Sequence, residues 1–117
     1  MPNPKVLMMV VGDPRASGRP AEAIRIAAGV GTWKKTDFTI YLRGPAVLAL
    51  SEFADEFLDE DNYTRYLPIA AEFGRPIYVQ KGAPEISELG ESSFKFQEIS
   101  DEELAELAAE SDYVLRF

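Results

Sequence analysis

The stretch Lys5 to Gly12 (KVLMMVVG) constrains this chain more than any other. From Val6 to Val11 every residue is apolar, and Gly12-Asp13-Pro14 stops the run. A strand with one wet face alternates apolar and polar residues, whereas an unbroken apolar run of this length reads as a strand covered on both faces. Such a strand needs a sheet around it and helices above and below.

The rest of the chain supplies these parts. Gly12 to Arg19 (GDPRASGR) reads as a loop, and Pro20 suits the first turn of a helix, where its missing N–H costs nothing. Ala21 to Val30 follows, with Ile24, Ala27 and Ala28 on one face and Ala23, Ile26 and Val30 beside them. Only Glu22 and Arg25 are charged there, which predicts a largely covered helix. Asp37 to Leu42 (DFTIYL) is a second strand, ended by Arg43-Gly44-Pro45, and a short helix should carry Ala46 to Leu50. Tyr63 to Phe73 has helical spacing, with Pro68 expected to kink or delay it and Gly74 to stop it. Pro76 to Gln80 (PIYVQ) and the weaker Phe94 to Ile99 read as strands. Ser100-Asp101-Glu102-Glu103 is a capping-box pattern. It opens a helix with Leu104, Leu107 and Ala108 inward and Glu102, Glu106 and Glu110 outward. Tyr113 to Phe117 (YVLRF) closes the series as a strand.

Strands and helices thus alternate about five times across 1–117, read as one domain. The pattern predicts an α/β fold: a three-layer α/β/α sandwich around a mostly parallel sheet of about five strands, with right-handed crossovers. Ligands of such sheets bind outside the carboxyl ends of the strands. Those ends carry Asp13, Arg15, Arg43, Gly44, Gln80 and Lys81, which form the candidate ligand-binding set. The helix starting near Pro20 would add free N–H groups beside Arg15, suiting a small anion. The competing view is a polar connector whose cations pair with nearby carboxylates.

Chemistry is narrowed further by what is missing. The chain has neither cysteine nor histidine, so disulfides, thiolate nucleophiles, persulfides and the commonest general base are all unavailable. No catalytic residue and no cofactor is assigned. The acidic group Asp55, Glu56, Asp59, Glu60 and Asp61 lacks the pattern of a calcium loop and reads as a solvated helix face, so no metal site is assigned. The formal charge of −8 argues against nucleic-acid binding. No apolar stretch is long enough to span a membrane. The opening residues lack a signal-peptide pattern, which predicts a cytoplasmic protein. Few amides and no cysteine hint at a heat-loving source. A response-regulator receiver is rejected, because a single acid, Asp13, follows the first strand and Gln80 ends the third.

Trp33, Tyr63 and Tyr66 read as packing residues. Tyr41, Phe94 and Phe96 are more aromatic strand residues than a lone domain of this size requires, which suggests a subunit interface.

The same stretches resemble the DsrE/DsrF/TusD-like family of small α/β proteins, which includes sulfur-relay subunits. The resemblance rests on KVLMMVVG, AEAIRIAAGV, TIYLRGPAVLAL and SDEELAELAAESDYVLRF, and covers nearly the whole chain. It implies a parallel-sheet sandwich and a homo-oligomer, as trimer or hexamer, or a hetero-assembly with related subunits. Active relay subunits carry sulfur on a cysteine just after the third main strand, a position falling at or next to Gln80. A carboxamide cannot hold a persulfide. Two functions remain: a non-catalytic binding or assembly subunit, or a thiol-independent enzyme or anion-binding protein using the strand-end residues.

Overall fold

The computed structural model describes residues 4–32, 37–51, 57, 60–71, 77–89 and 95–117. Five strands, β1 (Lys5–Val10), β2 (Asp37–Leu42), β3 (Ile77–Gln80), β4 (Phe96–Ile99) and β5 (Tyr113–Arg116), form a sheet in the order β4-β3-β2-β1-β5. Every pairing is parallel. Val6 lies opposite Phe38 on one side and Tyr113 on the other, so the apolar first run occupies the second strand from one edge.

Three α-helices, α1 (Arg19–Thr32), α2 (Glu60–Ala71) and α3 (Asp101–Glu110), cover the two faces of the sheet. Their sides follow from strand order and handedness. From β1 through β4 the chain steps steadily one way across the sheet, and right-handed crossovers keep these connections on one face. From β4 it returns past three strands to β5, and the same handedness puts α3 on the opposite face. The predicted five-stranded parallel α/β architecture is therefore the observed one.

The first face holds the larger core. Met8, Val10, Ile40, Leu42, Ile77 and Val79 point into it from the sheet, against Ile24 and Ala27 of α1, Tyr63 and Leu67 of α2 and the 3₁₀ segment Gly44–Leu50. All five residues from Ala46 to Leu50 are buried in that segment. A short helix in which every side chain past Pro45 is buried has no wet stripe and thus no amphipathic signature. Only its apolar composition and Pro45 mark it in the sequence. The other face is thin: Leu7, Tyr41 and Ile99 are buried, with Met9, Tyr78, Leu104, Leu107 and Ala108 half-covered around them.

The capping box at Ser100 forms as expected. The Glu103 N–H donates to Ser100 Oγ, and the Ser100 N–H donates to Glu103 Oε1, each at 3.2 Å. Helix α2 begins earlier than the aromatic spacing implies and runs through Pro68, which sits exposed within it. A 3₁₀ segment, Pro84–Glu88, was not expected at all. Trp33, Asp55, Glu56, Asp59, Phe73, Gly74 and Phe94 lie outside the described residues.

One expectation is corrected. Tyr41 is fully buried and belongs to the core beneath α3, so it cannot serve an interface. Phe96 packs, half-buried, against the larger core. Among the described residues, the exposed aromatic strand residue is Tyr113 on β5, 62% exposed.

Candidate functional site

Because all five strands are parallel, their carboxyl ends share one edge of the molecule. The connection leaving β3 packs Ala83, Ile86 and Leu89 into the larger core, whereas the one leaving β4 enters α3 on the other face. The chain therefore parts between the ends of β3 and β4, the kind of crevice in which open α/β sheets bind ligands. Gln80, Lys81 and Gly82 stand on one side of it and Ser100 and Asp101 on the other.

The groups around this crevice are already engaged with one another. The Gly44 N–H donates to Gln80 Oε1 at 3.0 Å, joining the ends of β2 and β3. The Gly82 N–H donates to Glu98 Oε1 at 3.1 Å, and the Lys81 N–H to the Ile99 carbonyl at 3.0 Å. Both glycines have positive φ, 57° and 75°, which lets the chain turn sharply off each strand at little steric cost. Backbone donors that could have received an anion thus have acceptors supplied by the chain itself.

The cations divide between two places. Arg43 Nη1 donates to Asp101 Oδ1 at 2.8 Å and to the Tyr41 hydroxyl at 3.1 Å. The Arg43 hydrogen bond holds the Asp101 carboxyl below the usual carboxylate range, and Asp101, then Tyr41, raise the Arg43 guanidinium. Arg15 folds back on its own loop. Its Nε and Nη2 donate to the two Asp13 oxygens at 3.1 Å each, and its backbone N–H donates to Asp13 Oδ1 at 2.9 Å. These bonds lower the Asp13 pKa, and Glu85 and Glu88 add a weaker field on Arg15. Lys81 is exposed. The structure therefore brings Arg43, Gly44, Gln80 and Lys81 to the crevice, and places Asp13 and Arg15 together as a separate local pair. Glu98 and Asp101 also contribute, and the sequence reading did not select them. The only signal for Asp101 was its place in the first turn of a capped helix, where acids are common for reasons of the helix dipole.

A shallow groove of about 170 Å³ runs between α3 and the β3–β4 edge, with Tyr78 and Ile99 as floor and Glu103, Glu106 and Glu110 along one wall. Among the described residues, no cluster of three acids converges as a bound metal would require. No helix among them is long and apolar enough to cross a membrane.

Comparison with known proteins yields no matching family model and no matching curated protein. A solved structure does match. The chain shares its fold with the ychN protein from E. coli. The likeness covers 97% of this chain and 99% of that one, with a TM-score of 0.78 and 20% sequence identity. At that identity the ychN likeness is one of fold alone, and side-chain chemistry is free to differ.

Proposed function

We propose that this chain is a DsrE-like subunit that acts by binding or assembly and does not carry sulfur on a side chain. The fold shared with ychN and the sequence resemblance support the first part. The second rests on one observation: at the end of β3, where relay subunits of the resembling family hold their cysteine, Gln80 turns its carbonyl to the Gly44 N–H. A carboxamide has no ionisable thiol and cannot form or transfer a persulfide. Its hydrogen bond gives the residue a scaffold role, tying two strand ends. With no cysteine anywhere in the sequence, a resolving thiol is equally absent.

Incubation with a cysteine desulfurase and labelled sulfur tests this directly. The wild-type chain should retain no label that a reductant releases, and covalent label on it would overturn the reading. A Gln80→Cys variant should acquire reducible label if the end of β3 keeps the geometry of a carrier site. Assembly is tested by light scattering, which should give a multiple of the 13.0 kDa chain mass, as a trimer or hexamer.

A further inference from the structure

The outer edge of β5 combines three features that belong together. First, β5 ends the sheet, and its apolar centre Tyr113-Val114-Leu115 is exposed at 62, 46 and 38%. An exposed apolar edge strand is a template for further pairing, which proteins ordinarily blunt with charge, proline or a bulge. Second, hydrogen bonding shows which backbone groups face outward. Phe117 donates its N–H to the Met9 carbonyl, and its own carbonyl accepts from Val11. Strand alternation then turns Leu115 and Tyr113 toward β1 and leaves the N–H and C=O of Val114 and Arg116 directed away from the sheet. Third, the segment is complementary to itself. Asp112 lies two residues before Val114 and Arg116 two residues after. Reversing the strand about Val114 sets each Asp112 opposite an Arg116, and each Tyr113 opposite a Leu115.

We infer that β5 pairs antiparallel with β5 of a second copy, about a two-fold axis through Val114, extending the sheet from five strands to ten. The two Val114 residues exchange both N–H···O bonds. Two Asp112–Arg116 pairs flank them, and the Tyr113 and Leu115 side chains meet across the joint. Directly opposed residues of an antiparallel pair project to one face, so each acid and its partner arginine meet on the same side. Arg116 makes no ion pair among the described residues of its own chain. Asp112 lies just before β5 and anchors its start, accepting the Lys5 N–H through Oδ2 at 2.8 Å and donating its own N–H to the Lys5 carbonyl at 2.8 Å, so the second copy's arginine is offered the other carboxylate oxygen. This interface rests on the reading of the chain as an assembling subunit and needs an assembly with a two-fold axis, as in the hexamer; a bare trimer has none and would overturn the interface while leaving that reading intact.

Charge exchange between copies tests the register. Alone, Arg116→Asp places acids opposite acids, and Asp112→Arg places arginines opposite arginines. Each variant should lose the wild-type association by at least tenfold in analytical ultracentrifugation. Mixed one to one, the two variants restore opposite charges at both positions and should re-form the joint. Asp112→Arg also removes the Lys5 contact, so a second measurement is independent of it. Val114→Cys, in a chain with no other cysteine, should oxidise to a covalent dimer, because opposed residues of such a pair lie within disulfide reach. Lys95→Cys, at an exposed position before β4, should not. A wild-type chain that stays at 13.0 kDa overturns the assembly reading and this interface together. An assembly that forms yet ignores both charge changes and gives no Val114→Cys cross-link overturns the interface alone.

Discussion

The two faces of the sheet differ in how completely the chain covers them. On the first, α1, α2 and two 3₁₀ segments enclose a core that takes side chains from β1, β2 and β3 together. On the second, a single ten-residue helix lies across the sheet and none of its residues is fully buried, while β5 is left bare on both faces. The cause is topological. Successive steps in one direction deposit several connections on one face, whereas the single return from β4 to β5 deposits only one. A sheet wound this way is sealed by its own chain over β1 to β3 on one side, and has free surface on the other side and along β5. That surface borders the strand edge at which we place a second copy.

The comparison breaks if the two faces prove equally sensitive to truncation. Leu42 is 1% exposed in the larger core, and Leu42→Ala should cost about 2–5 kcal/mol, the range for a buried leucine that leaves a cavity. Leu104, half-covered on α3, should cost about 1 kcal/mol when truncated, because less surface returns to water and the site relaxes more easily. Urea unfolding of both variants gives the two numbers. Equal losses would mean that α3 is held far more firmly than its burial indicates. A Leu104 loss that grows with protein concentration would mean that assembly covers this face.

The strand-end crevice offers a sharper and smaller test. Gln80→Ala removes the acceptor of the Gly44 N–H while leaving the backbone of β3 unchanged. The expected loss is about 1 kcal/mol, the usual net value of such a hydrogen bond, rising where the freed donor cannot reach water. Gln80→Glu keeps an acceptor at nearly the same place and should recover most of it. If alanine and glutamate behave alike in thermal melts, the side-chain carbonyl is not what joins β2 to β3.

How far the sequence reveals this molecule depends on how strongly each element is patterned. The strands β1 and β2 stand out because a doubly covered strand has to be apolar throughout, and α3 because its cap and its three-four spacing agree. The 3₁₀ segment at Pro84–Glu88 carries no such periodicity, and the chain there (GAPEISE) reads as plain loop. At the strand ends, residue type identifies candidates but not partners. Arg43, Gly44, Gln80 and Lys81 could be chosen from the sequence because strand ends were visible. That Arg43 would meet Asp101, 58 residues away, depends on the return crossover carrying the start of α3 back toward β2, which local pattern does not encode. Tyr41 was misread for the same reason: an aromatic in a strand is apolar on either face, and only the position of α3 decides that it is buried.

The smallest effect concerns the ion pair that fastens α3 to the rest. Asp101 lies in the first turn of α3 and Arg43 follows β2, so this bridge ties the thin face to the sheet. The Arg43 hydrogen bond holds the Asp101 carboxyl below its ordinary 3.8. A carboxyl depressed in the folded state stabilises fully above its unfolded value, and that contribution is lost as pH falls through the folded one. Wild type should therefore melt slightly above Asp101→Asn at about pH 6, and the gap should close as pH drops below the ordinary carboxylate range. Asp101 is largely exposed and Arg43 partly so, and added salt should therefore narrow the gap at neutral pH as well. Asp13→Asn, which opens a pair confined to one loop, should follow the same pH course without loosening α3. Amide exchange separates the two variants: faster exchange confined to α3 in Asp101→Asn marks the bridge as a fastening of the thin face. Equal exchange in both would reduce it to a surface pair of no structural consequence.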